Sequence, residues 1–416
     1  MLSAERARPH VVIIGGGFGG LYAARTLRNA PVRITLIDRR NHHLFQPLLY
    51  QVATAALNPS DIARPIRRIL RGQRNVTVIL DEARKIDVSG RRVVLDDSEI
   101  DYDYLIVATG VTHAYFGHDE WALHAPGLKS IEDALDIRRR ILLAYEEAEK
   151  EADDEARRAL LTFAIVGGGP TGVELAGALA EISRHALAED FRNIDPTQAG
   201  ILLIEGLSRI LPTFSPEMSD QAVRQLARLG VEVLTGKQVT EITADGVSIG
   251  GQFIPAKTVL WAAGVSASPL AQSLGVPLDR AGRVEVRDDL TIPGDEHVFV
   301  IGDLAAFVQD GNPVPGIAPA AMQEASHVAD NIVRAIRGLP HNSFRFRNKG
   351  MLVAIGRAAA VADLPRIKLS GFVAWVAWLT IHIYFLIGFR NRLLVMFEWA
   401  WAYFTYERGA RLITGR

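Results

Sequence analysis

The chain has no cysteine among its 416 residues. That excludes disulfide bridges, cysteine-ligated zinc or iron–sulfur clusters, and any mechanism built on a redox-active thiol pair. It also lacks an excess of either charge: 46 Lys and Arg stand against 47 Asp and Glu, a formal net charge of −1. Without a global basic field, no nucleic-acid partner is expected. A leader is missing from the reading too. The polar start Met1–His10 meets an apolar run, Val11 to Ile14, that stops at a glycine and is far too short for a signal-peptide core. The body of the protein is therefore expected in the cytoplasm. Long apolar runs are scarce. The exception, residues 371–389, contains no Asp, Glu, Lys or Arg, and four of the six tryptophans lie between Trp375 and Trp401.

What is present is glycine in clusters, which reads as local backbone geometry. Apolar runs at Val11 to Ile14, Val32 to Ile37 and Tyr104 to Val107 predict buried strands, with a helix after the first glycine cluster: a βαβ start. The Ala-, Glu- and Arg-rich stretch from Ile131 to Arg158 predicts one long exposed helix. Strand, glycines and helix then recur from Thr162, about 150 residues on, as an internal duplication of a nucleotide-binding unit. The expected fold class is α/β, with two Rossmann-like dinucleotide-binding domains, one split around the other, and a C-terminal helical region. The expected boundaries are 8–120, 121–275, 276–340 and 341–416.

The first cluster places Gly15, Gly17 and Gly20 as G-x-G-x-x-G between strand and helix. The glycines permit a tight turn, close backbone approach to a pyrophosphate and close helix–strand packing. Asp38 ends the next strand, where a carboxylate can accept from ribose hydroxyls. Gly167, Gly169 and Gly172 repeat the pattern, and Glu205 ends the following strand. An acid there favours NAD over NADP, although Arg209 is near and residues 185–200 lengthen the usual spacing. Glu174 is placed either as a capping carboxylate or facing a nicotinamide. A third signature is the buried run ending in Gly302-Asp303, which offers an acceptor to a ribityl chain. Pro319 leads a helix whose N-terminus would favour an anionic reduced flavin. The adjacent pair His42-His43 points apart on a strand and gathers no further ligands, so no metal is expected.

Together GGGFGGLYAA (15–24), HLFQPLLYQVATAAL (43–57), IVGGGPTGVELAGALAE (165–181), WAAGV (261–265), FVIGDLA (299–305) and the aromatic tail (381–413) resemble the type II, single-subunit and non-pumping NADH:quinone oxidoreductases. The resemblance implies non-covalent FAD at Gly15, Gly17, Phe18, Gly19, Gly20, Asp38, Arg39, Ala108, Thr109, Gly110, Gly302, Asp303, Ala320 and Ala321. It implies NADH at Gly167, Gly169, Gly172, Glu174, Glu205, Ala263 and Gly264. It places quinone near Gln46, Pro47, Pro319 and Gln323, with Glu174 and Gln323 as catalytic candidates, and it implies a homodimer. The chain departs from the family at Pro319, where many members carry glutamine; Gln323 matches the second glutamine of that pattern. Disulfide reductases and sulfide:quinone reductases in the wider superfamily depend on reactive cysteines, so direct NADH-to-flavin-to-acceptor chemistry remains. A reductase for a ferredoxin- or rubredoxin-type protein and a low-turnover FAD/NADH sensor are the competing expectations.

In the tail, Leu393, Phe397, Trp401 and Phe404 share one helical face, with Arg390, Arg392, Arg408 and Arg411 as basic anchors. This predicts attachment to a lipid surface, peripheral on the cytoplasmic side of the inner membrane. A dimer interface and a single membrane-spanning helix are the alternatives.

Overall fold

A computed structural model describes residues 8–387, 389–405 and 410–414. The chain forms two compact units. One gathers Met1–Leu44, Ala63–Thr112 and Val265–Asn348; the other gathers Phe45–Ile62, His113–Gly264 and Lys349–Arg416.

The first unit is built on a six-stranded sheet in the order Thr291–Ile292, Asp295–Val300, Tyr104–Val107, His10–Ile14, Arg33–Asp38, Val76–Leu80. The inner pairs are parallel, with Val11 opposite both Ile34 and Tyr104. Val11, Val12, Ile13, Leu36, Leu105, Ile106 and Val298 are fully buried. Continuous apolar runs are what a parallel sheet covered on both faces requires. The helices Phe18–Thr26 and Ala318–Ile336 pack against each other in this unit.

The second unit carries a four-stranded parallel sheet in the order Val231–Thr235, Gly200–Glu205, Thr162–Val166, Thr258–Trp261. The inserted residues 185–200 are absorbed ahead of the sheet. Thr162 still pairs with Gly200 and Val166 with Ile204, so Glu205 stands at its strand end. The long helix expected over residues 131–158 is two helices, Ile131–Lys150 and Asp154–Leu160. The break follows from Asp153, which takes extended backbone and caps the second helix by accepting from Glu155 N and Ala156 N at 3.0 and 2.7 Å.

The C-terminal region is not helical throughout. It opens with an antiparallel sheet of Met351–Gly356, Ala359–Asp363 and Lys368–Ser370. That sheet packs on the helix Pro170–Glu181, and a Cβ on Gly177 would stand 1.6 Å from the Ile355 carbonyl oxygen. Only glycine allows that approach. The apolar run of residues 371–389 does not form one helix either. The helix Phe372–Phe385 stops where Leu386 turns extended, and Arg392 closes its end, donating to Leu386 O at 2.7 Å and Tyr384 O at 2.6 Å. Its 14 residues reach about 21 Å, short of a hydrocarbon core of about 30 Å. Among the described residues no helix is long and apolar enough to cross a membrane. A second helix, Phe389–Thr405, follows.

Arg138 stitches this unit internally. It is 5% exposed, and its guanidinium donates to Val52 O (2.8 Å), Leu57 O (2.8 Å) and Ala410 O (3.2 Å). Its partners are carbonyls rather than a carboxylate, and burial lowers its pKa.

Candidate cofactor and substrate sites

In the first unit Gly15 has φ +104°, and a Cβ there would lie 2.3 Å from Ala108 O; one on Gly20 would lie 1.8 Å from Gly15 O. At Gly17 a Cβ would meet nothing within 4 Å. The loop thus packs tightly on the strand ends while its middle opens on free space, as close approach of a pyrophosphate demands. Asp38 holds the loop: Oδ2 accepts Gly16 N at 2.5 Å and Oδ1 accepts Arg40 N at 2.7 Å. Phe18 meets the His43 ring edge-on at 5.0 Å, and Gly19 backs onto Ile301 and Ala108. Arg39 is exposed and lies 3.6 Å from Glu82.

Sequence reasoning set His43 aside with the metal question. It is 2% exposed, and burial lowers its pKa to about 4. The neutral ring meets Gly16 O through Nδ1 at 3.0 Å, so it holds the same glycine whose N–H Asp38 accepts. Among the described residues, no group of three or more His, Cys, Asp or Glu side chains could hold a metal.

The neighbouring strand ends bring Ala108, Thr109 and Gly110 (φ +69°) and Gly302 (φ +72°) with Asp303 into the same unit. Ala320 and Ala321 lie in the first turn and a half of the helix Ala318–Ile336, with Pro319 at its start. The buried Thr109 Oγ1 has no hydrogen-bond partner among the described residues. An orphaned hydroxyl beside an open glycine loop and a strand-end aspartate fits a ligand with pyrophosphate and polyol groups, as FAD has.

The second loop repeats the first nearly atom for atom. Gly167 has φ +111° and backs onto Ala262, a Cβ on Gly172 would lie 1.8 Å from Gly167 O, and Gly169 faces open space. Glu205 does what Asp38 does: Oε2 accepts Gly168 N at 2.7 Å and Oε1 accepts Leu207 N at 2.8 Å. Arg209 turns away to Phe214 O and Pro212 O, both at 2.7 Å. Ala263 and Gly264 follow the strand Thr258–Trp261, and Phe116 covers Gly264, its ring 2.3 Å from where a Cβ would stand.

Glu174 is not a cap, since the first turn of its helix holds no acid. It lines a cavity of about 110 Å³ in the second unit, with Gln51, Arg357, Trp375, Trp378 and Trp399 among its neighbours. Burial holds its carboxyl well above the usual carboxylate range, against the pull of the Ala354 amide. Trp399 Nε1 donates to Gln51 Oε1 at 2.7 Å, while the buried Trp378 Nε1 has no hydrogen-bond partner among the described residues. Trp378 stacks on His382 at 4.4 Å. Three of the four tail tryptophans, Trp375, Trp378 and Trp399, therefore line a pocket. Trp401 is the outward one, at 60% exposure.

Leu393 and Phe397 share its exposed face; the Phe404 and Arg390 side chains and Arg408 lie outside the described residues. Arg392 and Arg411, expected as lipid anchors, are bonded internally, Arg411 to Ala186 O and to Asp190. Of the expected quinone contacts, Gln46 and Pro47 belong to the second unit and Pro319 and Gln323 to the first. Gln46 donates to Lys129 O at 3.3 Å. Gln323 clamps the backbone of Arg347, donating to its oxygen at 3.2 Å and accepting from its nitrogen at 3.0 Å.

Two glycine loops of the dinucleotide type, each closed by a strand-end acid, with a Gly-Asp strand end beside the first, define a pyridine-nucleotide-dependent flavoprotein oxidoreductase. The model of the pyridine nucleotide-disulphide oxidoreductases matches residues 9–325, and that of the NDH2 C-terminal domain matches residues 348–406. The chain is 44% identical to the type II NADH:quinone oxidoreductase Ndh of Mycobacterium tuberculosis, over 99% of this chain and 92% of that one. It is 43% identical to NdhA of the same organism, over 100% and 91%. The solved NDH2 of Plasmodium falciparum in complex with NADH shares the fold, with a TM-score of 0.89 at 21% identity, covering 98% of this chain and all of that one. The chain belongs to the type II NADH:quinone oxidoreductase family, whose members are FAD-binding enzymes that do not pump protons.

Proposed function

We propose that this chain oxidises NADH and reduces a membrane quinone, with FAD held by the first glycine loop and NADH by the second. The observation that carries this reading is the doubled loop, in which Asp38 and Glu205 each bind two backbone amides. Each carboxylate keeps lone pairs to accept from a ribose hydroxyl. FAD, when bound, supplies the two-electron chemistry that links a hydride donor to a quinone. In the domain assignment, residues 8–120 and 276–340 serve FAD, 121–275 serve NADH, and 341–416 serve the membrane.

The open space at Gly17 and Gly169 leaves helix-start amides to meet the two pyrophosphates. Thr109 and Asp303 take the ribityl end of the flavin. Arg209, bonded to its own loop, offers nothing to a 2′-phosphate, which favours NADH. Glu174 lies among tryptophans, and burial raises its carboxyl well above the usual carboxylate range, which favours the protonated form. We therefore assign it to the quinone, as a hydrogen-bond donor in an apolar pocket, and not to the nicotinamide. Gln46 and Pro47, in the same unit as Glu174, are kept as further quinone contacts; Pro319 and Gln323, in the first two turns of the helix Ala318–Ile336, are kept as quinone contacts of the first unit. The exposed residues Val373, Val376, Phe397 and Trp401 rest on lipid on the cytoplasmic side of the inner membrane, in a homodimer.

The test is anaerobic. The holoprotein is mixed with NADH, the flavin band is followed, and a short-chain quinone is then added. Bleaching followed by fast recovery is expected. Bleaching without recovery would transfer the acceptor role to a protein, and no bleaching would sink the reading.

A further inference from the structure

Behind the Gly302–Asp303 turn lies a carboxyl that the proposed function leaves without a task. Glu324 sits in the second turn of the helix Ala318–Ile336 and is 3% exposed. Its Oε2 accepts the Gly302 N–H at 2.5 Å. Gly302 is left-handed, at φ +72°, so the direction of this amide is fixed jointly by the turn and by its acceptor. The next amide upstream, Ile301 N, is satisfied by a carbonyl, Val107 O, at 3.1 Å. An acid is a costly group to bury for one backbone bond, because desolvation disfavours its charged form, and a glutamine could accept the same bond with no charge.

We propose that Glu324 is a positioning residue for the flavin: it fixes the Gly302 amide and with it the Asp303 carboxyl, and its charge makes the hold on FAD depend on pH. The proposal rests on the reading that the Gly302–Asp303 turn meets FAD.

The charges around Glu324 are few. Asp303 is the neighbouring charged group that acts on it. The helix Phe18–Thr26, packed against the same helix, has one charged residue, Arg25, which is exposed. On Glu324's own helix His327 is a turn away, and its Nε2 meets Asn342 O at 2.8 Å. Burial, helped by Asp303 and opposed by the Gly302 amide, pushes the Glu324 carboxyl up to about 7. Below that pH the pair carries one negative charge. Above it a second charge stands beside Asp303, on the side that receives an anionic cofactor. FAD affinity therefore falls as pH rises through 7, and the more negative reduced flavin is disfavoured further than the oxidised form.

The experiment titrates FAD into full-length protein stripped of flavin, at pH 6 and pH 8.5, for wild type, Glu324→Gln, Glu324→Ala and Asp303→Ala. The flavin midpoint potential of the loaded proteins is measured alongside. Wild type is expected to lose about tenfold in FAD affinity across this range, while Glu324→Gln changes less than about threefold. A tenfold difference between oxidised and reduced FAD would appear as about 30 mV in the two-electron potential. Glu324→Ala, which removes the acceptor, is expected to bind FAD more weakly at both pH values. Should that variant fail to fold, Glu324→Gln carries the test alone. A Glu324→Gln profile that follows wild type overturns the proposal. If Asp303→Ala leaves FAD affinity unchanged, the assignment of the turn to FAD has failed, and the proposal falls with it.

Discussion

Replacing Glu205 by alanine takes the acceptor from two backbone amides at once, Gly168 N at 2.7 Å and Leu207 N at 2.8 Å. Hydrogen bonds to a charged acceptor contribute roughly 1.5–3 kcal/mol each when buried. Glu205 is half-buried, and water can replace part of the loss, so about 1.5–2.5 kcal/mol in NADH binding is a reasonable total once the ribose contact is included. At 1.4 kcal/mol per decade that is a rise in KM for NADH of roughly tenfold to sixtyfold. The turnover number at saturating NADH should hardly change, because the carboxylate touches the ribose end and not the transferred hydride. The FAD content should stay at wild-type level, since Asp38 performs the matching task in the other unit. Stopped-flow bleaching of the flavin against NADH concentration gives the affinity, and the visible-to-ultraviolet absorbance ratio gives the FAD content. An unchanged KM would reduce Glu205 to a loop fastener. Loss of FAD with normal NADH binding would reverse the assignment of the two units.

Two further outcomes are expected. Phe397 and Trp401 are 70% and 60% exposed on one face of the last helix, so the double change Phe397→Ala, Trp401→Ala should release the protein from liposomes in flotation while flavin reduction by NADH continues; undiminished flotation would count against a surface-bound helix. Glu174, whose folded-state pKa is raised, binds a proton in the native state that the unfolded chain gives up, so it contributes stability at acid pH that is lost as pH rises through the native value. Glu174→Gln should then melt closer to wild type at pH 5 and show a relative gain at pH 9, and parallel melting curves across that range would refute the shift.

How far these features could be read from the residues depends on whether the feature is local. The glycine loops and their strand-end acids are set by a few consecutive residues, and the insertion before Glu205 did not displace it because the strand pairing absorbed the extra chain. Asp153 breaks a helix with a capping signal that overall helix propensity obscures. The pocket is another matter. Periodicity groups Trp375, Trp378, Trp399 and Trp401 as apolar aromatics, but which of them turn inward depends on the sheet and helix that receive them, and those come from residues 170–181 and 351–363. Gly177 looks like an ordinary small residue in a helical run until Ile355 arrives against it. Glu324 has the same difficulty. A glutamate in a second helical turn reads as a solvated face, and only the return of the Gly302 turn makes it a buried acceptor.

The Arg138 clamp has a practical corollary for anyone handling this protein. Its third carbonyl belongs to Ala410, a few residues beyond the last helix. A version trimmed at the end of that helix, at residue 405, would look like removal of a dispensable tail. It would instead leave a guanidinium, 5% exposed, with one N–H deprived of its acceptor, and it would also remove Arg411, the donor to Ala186 O and Asp190. The segment at Ala410 is in this sense a keystone, bearing through Arg138 on the Val52–Leu57 arch that has Gln51 beside it. A protease that nicks the tail ahead of Ala410 would break this clamp without touching either glycine loop.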